Sequence, residues 1–295
     1  MNNVLIAGGT GFIGQHVTDA LIKKGYHVYI STRTPNKHHS TENITYVNSN
    51  VAVADLPRIY AVINLAGESL FGYWTKNKKK RILQSRIQST KRIVQLMEQM
   101  EQRPEVFINA SAIGFYGTTD EVIFTEETTQ HGDDFLASVV KKWEQTAIGA
   151  EKLNIRTVYA RLGLVLGKQG SLPLMSLPIK LGVGGKIGSG EQYISWVHID
   201  DVVRMFLFAI ENNISGPVNI TAPTPEQNKY FIKTLAQTLR RPAFFPTPKL
   251  LFETVLGEMS LLITKGQYVL PQKMLDSGYQ FKYKTLKKAL KNIFK

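Results

Sequence analysis

Cysteine is absent from this 295-residue chain. Without a thiol there is no disulfide framework, no thiolate nucleophile, no Cys-ligated zinc and no iron–sulfur cluster. No His pair stands at i, i+4 and no acidic loop is clustered as in a calcium site, so the expected metal content is none. Redox chemistry would have to come from a bound cofactor. Long apolar runs are lacking too. No window approaches the roughly 18 uninterrupted apolar residues of a membrane span, and no basic segment leads into an apolar stretch near Met1. The expectation is a cytoplasmic protein with no signal peptide and no membrane partner. Acidic residues are the minority charge, 23 Asp and Glu against 36 Lys and Arg, a net +13. That excess fits nucleic acid, a membrane surface, a small anion or plain surface lysines, and composition does not choose among them.

What is present is an ordinary globular mixture, 43% hydrophobic and 20% charged, enough for one large core or two modest ones. Short β-branched runs at 4–7, 27–31, 44–47, 61–65, 106–110 and 157–162 alternate with helical-period segments such as 12–24 and 82–100. This is the sequence form of βαβ units and predicts an α/β fold, a doubly wound parallel sheet of Rossmann type. Beyond 166 the texture changes. Gly, Pro and Leu dominate 171–190, an apolar helix is expected within 195–210, a strand at 217–221, and Pro-broken helical stretches over 225–295. The predicted division is a cofactor domain of 1–166 plus about 197–222, and a smaller mixed α/β substrate domain of 167–196 plus 223–295.

Gly8-Gly9-Thr10-Gly11-Phe12-Ile13-Gly14 follows the first expected strand and opens the first expected helix. In that setting spaced glycines allow a tight turn, let backbone N–H groups reach a pyrophosphate and seat the helix close to the strand. A glycine-rich turn without a ligand is the plainer alternative; the strand–loop–helix context favours the dinucleotide. Gly8, Thr10, Gly11, Phe12, Ile13 and Gly14 are therefore candidate cofactor contacts. An NAD site usually carries an acid at the end of the second strand, and here that place reads Ser31-Thr32-Arg33-Thr34. A guanidinium can fork onto a ribose 2′-phosphate that a carboxylate would repel, so Thr32 and Arg33 favour NADP(H) over NAD(H). Leu65, Ala66 and Gly67, at the end of the fourth strand, would lie beneath the cofactor.

These residues, with Asn64-Leu65-Ala66-Gly67 and the Ser111 region, resemble the extended short-chain dehydrogenase/reductase (nucleotide-sugar epimerase) family. More narrowly, the chain resembles its atypical "epimerase family protein" subgroup. The signatures are Gly67-Glu68-Ser69, Trp74-Thr75 with Lys79/Lys80, Ile82-Leu83-Gln84-Ser85-Arg86, Ser111-Ala112-Ile113-Gly114-Phe115-Tyr116-Gly117, and Ile194 through Asp201. Towards the carboxyl end, Pro217 through Pro223, Arg241-Pro242-Ala243, Leu256-Gly257-Glu258-Met259 and Gly266 through Pro271 resemble the subgroup's small C-terminal domain.

The wider family works with a Ser and a Tyr-x-x-x-Lys pair, in which the Lys lowers the tyrosine pKa and the tyrosinate takes a substrate proton. The resemblance puts Ser111 in the serine place. Aligned through Glu144, the following helix has Leu136 at the tyrosine position and Val140 at the lysine position, and neither can move a proton. The subgroup's frequent Cys at the latter position is absent as well. Tyr116 is the stand-in acid by analogy, with packing of an aromatic under its loop as the alternative. Arg86 stands where the family usually has Asn and is expected near the nicotinamide ribose or an anionic substrate group. Lys141 is one position out of register and would point elsewhere. Tyr283 and Lys287 form the single Tyr-x-x-x-Lys match, outside the cofactor domain, and read as chance.

Elsewhere, Asp200 or Asp201 and Asp133 or Asp134 read as helix caps before chemistry, and His198 as structural. The loop 182–190 lacks a P-loop pattern and reads as a lid. The run Lys76 to Arg81 beside Tyr73-Trp74 could meet nucleic acid, but it leads into an amphipathic helix and reads as a solvated lead-in, so nucleic acid is not favoured. The expected function is an NADP(H)-binding epimerase- or oxidoreductase-like protein acting on a small polar, nucleotide-sugar-like molecule, with a homodimer left open. The competing expectation is a catalytically silent NADP(H)-binding or redox-sensing protein that works through a partner.

Overall fold

The computed structural model describes residues 2–243, 254 and 257–295. Its strands are β1 (Asn3–Ala7), β2 (His27–Thr32), β3 (Ile44–Asn48), β4 (Ile59–Asn64), β5 (Val106–Ala112), β6 (Thr119–Phe124) and β7 (Arg156–Leu162). They continue as β8 (Leu164–Leu166), β9 (Tyr193–Ile194), β10 (Trp196–His198), β11 (Gly216–Ile220), β12 (Glu226–Gln227) and β13 (Gln267–Val269). The first helices are α1 (Phe12–Lys23), α2 (Lys76–Gln99), α3 (Phe135–Glu151), α4 (Ser171–Lys180), α5 (Ile199–Glu211) and α6 (Asn228–Leu239).

Seven strands form one parallel sheet in the order β11-β7-β5-β4-β1-β2-β3, the doubly wound sheet expected from the alternation. Side chains alternate faces along each strand. Val4 and Ile6 of β1 join a core with Val17 and Leu21 of α1 and Val202 and Phe206 of α5. Leu5 and Ala7 face the other way, into a core with Ile93 and Met97 of α2 and Ala147 of α3. The strand order reverses between β1 and β4, so a crevice opens where their carboxyl ends diverge. A separate core of Leu172, Ile179, Trp196, Phe231, Leu235, Leu286 and Leu290 unites α4, α6 and the helix Leu286–Ile293.

Three expectations need correction. The helix expected at 82–100 begins at Lys76, because Thr75 Oγ1 accepts the Lys78 N–H at 3.2 Å as its N-cap. The basic run is thus the first turns of α2, with Lys78 paired to Glu68 and Lys79 to Glu258. Residues 196–198 form a strand before α5, and His198, rather than an aspartate, is the cap: its Nδ1 accepts the Asp200 N–H at 3.0 Å. Asp201 instead accepts from Tyr279 Oη (2.9 Å), Lys282 N (2.9 Å) and Tyr283 N (2.8 Å), fastening that distant segment to α5. Strand β6, unanticipated, exists by pairing with β13.

Asp134 does cap α3, accepting the Ala137 N–H at 2.9 Å. The loop 182–190 is fastened by Ile187 N to Asn228 Oδ1 and by Lys229 N to Gly190 O, each 2.8 Å. The signature residue Leu256 lies outside the described residues. Among those described, no helix is long and apolar enough to cross a membrane.

Candidate functional site

The glycine loop joins β1 to α1 at the point where the strand order reverses. Gly8 has φ +80°, and a Cβ there would stand 2.8 Å from the Leu65 carbonyl carbon. The loop and the exit of β4 are therefore pressed together, which only a residue without a side chain permits. A Cβ on Gly14 would stand 2.6 Å from Gly9 Cα, so the first turn of α1 lies directly on the loop. Gly11 precedes that turn with no side-chain cap and no acid in it, so the positive helix end meets no acidic side chain of its own first turn. Thr10 and Gly11 are exposed, and Phe12 and Ile13 half-buried. This cradle fits a dinucleotide pyrophosphate.

Arg33 follows β2 on the same edge of the sheet, where Ser31 pairs with Ala7. Its side chain is exposed and has no ion-pair partner among the described residues. Thr32 Oγ1 accepts the Thr34 N–H at 3.3 Å, shaping the turn around Arg33.

Leu65, Ala66 and Gly67 leave β4 across the crevice. Leu65 N donates to Ala7 O at 2.8 Å, and Ala66 N to Asn64 Oδ1 at 3.2 Å. Asn64 is fully buried and also bonds Asn109 and Thr90. Arg86 braces this turn from below. Its Nη1 donates to Glu68 O at 3.1 Å and Ile82 O at 3.0 Å, and its guanidinium lies over Trp143 at 5.1 Å. Burial lowers its pKa to about 10, which leaves it a cation at neutral pH.

Ser111, at the end of β5, is buried and donates to Glu144 Oε1 at 2.6 Å. Arg161 of β7 forks onto the same carboxylate, Nε to Oε1 and Nη2 to Oε2, both at 2.8 Å. Arg161 Nη1 donates to Tyr116 Oη at 2.9 Å, and Tyr116 Oη donates to Asn219 Oδ1 at 2.8 Å. The guanidinium also lies 3.6 Å over the Phe115 ring. Burial alone would lower the Arg161 pKa, but the bonded Glu144 carboxylate outweighs it and the net direction is up. Burial pushes the Tyr116 phenol up, partly offset by Arg161. The Tyr116 hydroxyl is thus engaged in both directions. Glu144 and Arg161 escaped the reading of the sequence. The available signal was charge at core-facing positions, in β7 and on the apolar face of α3.

The relay positions are apolar. Val140 packs with Phe115, Tyr116, Phe124 and Val269. Leu136 packs against the cluster of Trp74, Ile82 and Val139, and a Cβ on Gly114 would lie 3.7 Å from its own Cβ. Lys141 turns to His131, 2.6 Å from Nε2. Tyr283, in the smaller core, lies against the His198 ring with centroids 3.9 Å apart and the planes tilted by 30°. The loop after Gly67 meets the C-terminal segment through Gly72 N to Met259 Sδ (3.2 Å) and Tyr73 Oη to Thr254 O (2.8 Å). Surface grooves of about 580 Å³ between α2 and α3 and about 510 Å³ along α6 are lined by residues away from the glycine loop. Among the described residues no cluster of three or more acidic or histidine side chains could hold a metal.

The model of the NAD dependent epimerase/dehydratase family matches residues 4–221, and that of a domain of unknown function, DUF1731, matches 247–293. An epimerase family protein of Bacillus subtilis, YfhF, is 45% identical, over 99% of this chain and 97% of its own. An epimerase family protein of Staphylococcus epidermidis, SERP0438, is 41% identical over the whole of both chains. Among solved structures, human epimerase family protein SDR39U1 with NADPH superposes with a TM-score of 0.89 at 31% identity, covering 99% of each chain. A nucleoside-diphosphate sugar epimerase from Corynebacterium glutamicum gives 0.81 at 28% identity, covering 99% of this chain and 58% of that one. The resemblance drawn from the glycine loop and the carboxyl-terminal signatures is borne out. The chain belongs to the NAD dependent epimerase/dehydratase family and is built throughout its length like the epimerase family proteins.

Proposed function

We propose that the protein binds NADP(H) in preference to NAD(H) and acts as an oxidoreductase or isomerase on a small molecule held between a lobe of 1–166 plus about 197–222 and one of 167–196 plus 223–295. The observation that carries this reading is Arg33, an exposed cation just after β2 with no ion-pair partner among the described residues, beside a glycine cradle whose helix has no acid in its first turn. The human neighbour solved with NADPH supports it.

The backbone amides of Thr10 to Gly14 would hold the pyrophosphate, and Thr32 and Arg33 the 2′-phosphate. Leu65 to Gly67, braced by Arg86, would form the floor. NADP(H), when bound, supplies reversible two-electron exchange with a carbonyl or alcohol. Ser111 gives its proton to Glu144, so its oxygen is left to accept a bond. Tyr116 gives its proton to Asn219 and receives one bond from Arg161. Both are read here as positioning groups that fix the end of β5, with proton transfer left to solvent at the crevice.

The competing reading, a silent cofactor-binding or redox-sensing protein, draws on one observation: Leu136 and Val140 are packed among apolar neighbours. Fluorescence titration with NADPH and NADH tests the cofactor. NADPH should bind about 10-fold more tightly, the worth of one charge-assisted contact. Equal affinities remove the role of Arg33. An NADPH-binding protein that oxidises NADPH with no carbonyl compound in a broad set favours the silent reading.

A further inference from the structure

Around the exit of β4 the crevice wall is apolar, and its polar groups are engaged with one another. Leu136 lies beside Gly114, which follows β5, and joins Leu70, Phe135 and Met259 as half-buried residues packed against the cluster of Trp74, Ile82 and Val139. Trp74 and Phe135 meet edge to face at 5.7 Å, and the indole N–H of Trp74 donates to Leu70 O at 2.8 Å. Phe71 and Tyr73, on the same loop, are 45% and 59% exposed. Packing within this cluster accounts for Trp74 and Ile82, which are buried, and the Tyr73 ring lies against Gly257; neither accounts for the open Phe71 ring.

Four polar side chains of this rim have partners already. Lys78 is bonded to Glu68 at 2.9 Å, Lys79 to Glu258, Arg86 to two carbonyls and Tyr73 Oη to Thr254 O. Ser111 gives its proton to Glu144 and offers a ligand only an acceptor oxygen. A sugar brought against this wall would lose water from each hydroxyl and regain few partners, whereas an apolar body gains by covering exposed carbon.

We infer that this crevice takes a carbonyl compound with an aromatic or aliphatic body, not a sugar. The inference rests on the proposed NADP(H) site and names the class of molecule that enters beside it. It departs from the nucleotide-sugar expectation drawn from the sequence, and the two are separated by the test below.

The test is calorimetric titration of the full chain saturated with NADP⁺, using benzylacetone and 2-octanone against UDP-glucose. Neither ketone can be oxidised by NADP⁺, so binding is read without turnover. At least one ketone should bind about 10-fold more tightly than UDP-glucose. Leu136→Gln and, on the exposed loop, Phe71→Ser should each weaken the ketone by about 10-fold while NADP⁺ affinity stays within about twofold. The inference is overturned if UDP-glucose binds as tightly, if neither ketone binds protein that takes up NADP⁺, or if Phe71→Ser leaves ketone affinity unchanged. Protein that takes up no NADP⁺ removes the proposed function itself, and this inference with it.

Discussion

Ser111 Oγ lies 2.6 Å from Glu144 Oε1, the same oxygen that Arg161 Nε reaches at 2.8 Å. The serine proton therefore points into the protein, towards a carboxylate whose charge Arg161 holds in place. Removing the arginine leaves a buried, unpaired carboxylate, which costs about 3–5 kcal/mol. Arg161→Met should lower the denaturation midpoint far more than Arg161→Met combined with Glu144→Leu. Chemical unfolding of both variants checks this, and equal losses would mean that the pair is not coupled.

Arg33→Ala should weaken NADPH by about 10-fold and leave NADH within about twofold, since only the former carries the 2′-phosphate. Paired fluorescence titrations decide it. A variant that loses both cofactors equally would place Arg33 elsewhere.

Gly14→Ala adds a Cβ 2.6 Å from Gly9 Cα, a contact between two backbones with no flexible side chain to yield. The first turn of α1 must lift from the loop. Circular dichroism should show a folded chain of lower midpoint or none, and folded material should have lost NADPH binding by at least about 10-fold. Unchanged affinity would sink the close-packed cradle.

Burial holds the His198 imidazole below its ordinary pKa, with Asp200 and Asp201 offsetting part of the effect and Lys282 adding to it. The unfolded chain then binds more protons near pH 6.5, so stability rises with pH through that window and falls as the imidazole is forced to charge. The melting temperature should drop between about pH 7.5 and about pH 5.5. His198→Asn keeps a short capping side chain and should flatten that drop. A variant with the same slope as the parent would assign the acid sensitivity to other groups.

Asp201 accepts three hydrogen bonds from residues 279–283 while 1% exposed. Asp201→Ala orphans two backbone N–H groups and a buried phenol, for a loss of about 2–5 kcal/mol. Limited proteolysis should then cut near residue 280, well before global unfolding. Resistance equal to the parent's would show that Met274 and Phe281, packed in the main core, hold the segment without the carboxylate.

The parallel sheet and the glycine cradle were legible because both are written locally. Alternation of apolar runs fixes β1 to β5 and β7, and Gly8, Gly11 and Gly14 act within one turn of their neighbours. The start of α2 was read late because one threonine, Thr75, overrides the low helical promise of a lysine run. β6 could not be read at all, since its partner β13 lies far along the chain. The site was half legible for the same reason. Arg33 can be placed after β2 from local sequence, whereas the Ser111–Glu144–Arg161–Tyr116 network joins two strands, a helix and a turn whose proximity only the fold creates. Tyr116 looked available because sequence shows a hydroxyl and hides its bonds.

The main core contains Met274, Tyr279 and Phe281 alongside β1, α1 and α5. Those three residues leave the ribosome long after the last strand of the parallel sheet, Gly216–Ile220, has been made. The surface of α5 that they cover stays bare until then, so the core of this lobe closes only after its sheet has been made, around a segment that belongs to neither the sheet nor its helices.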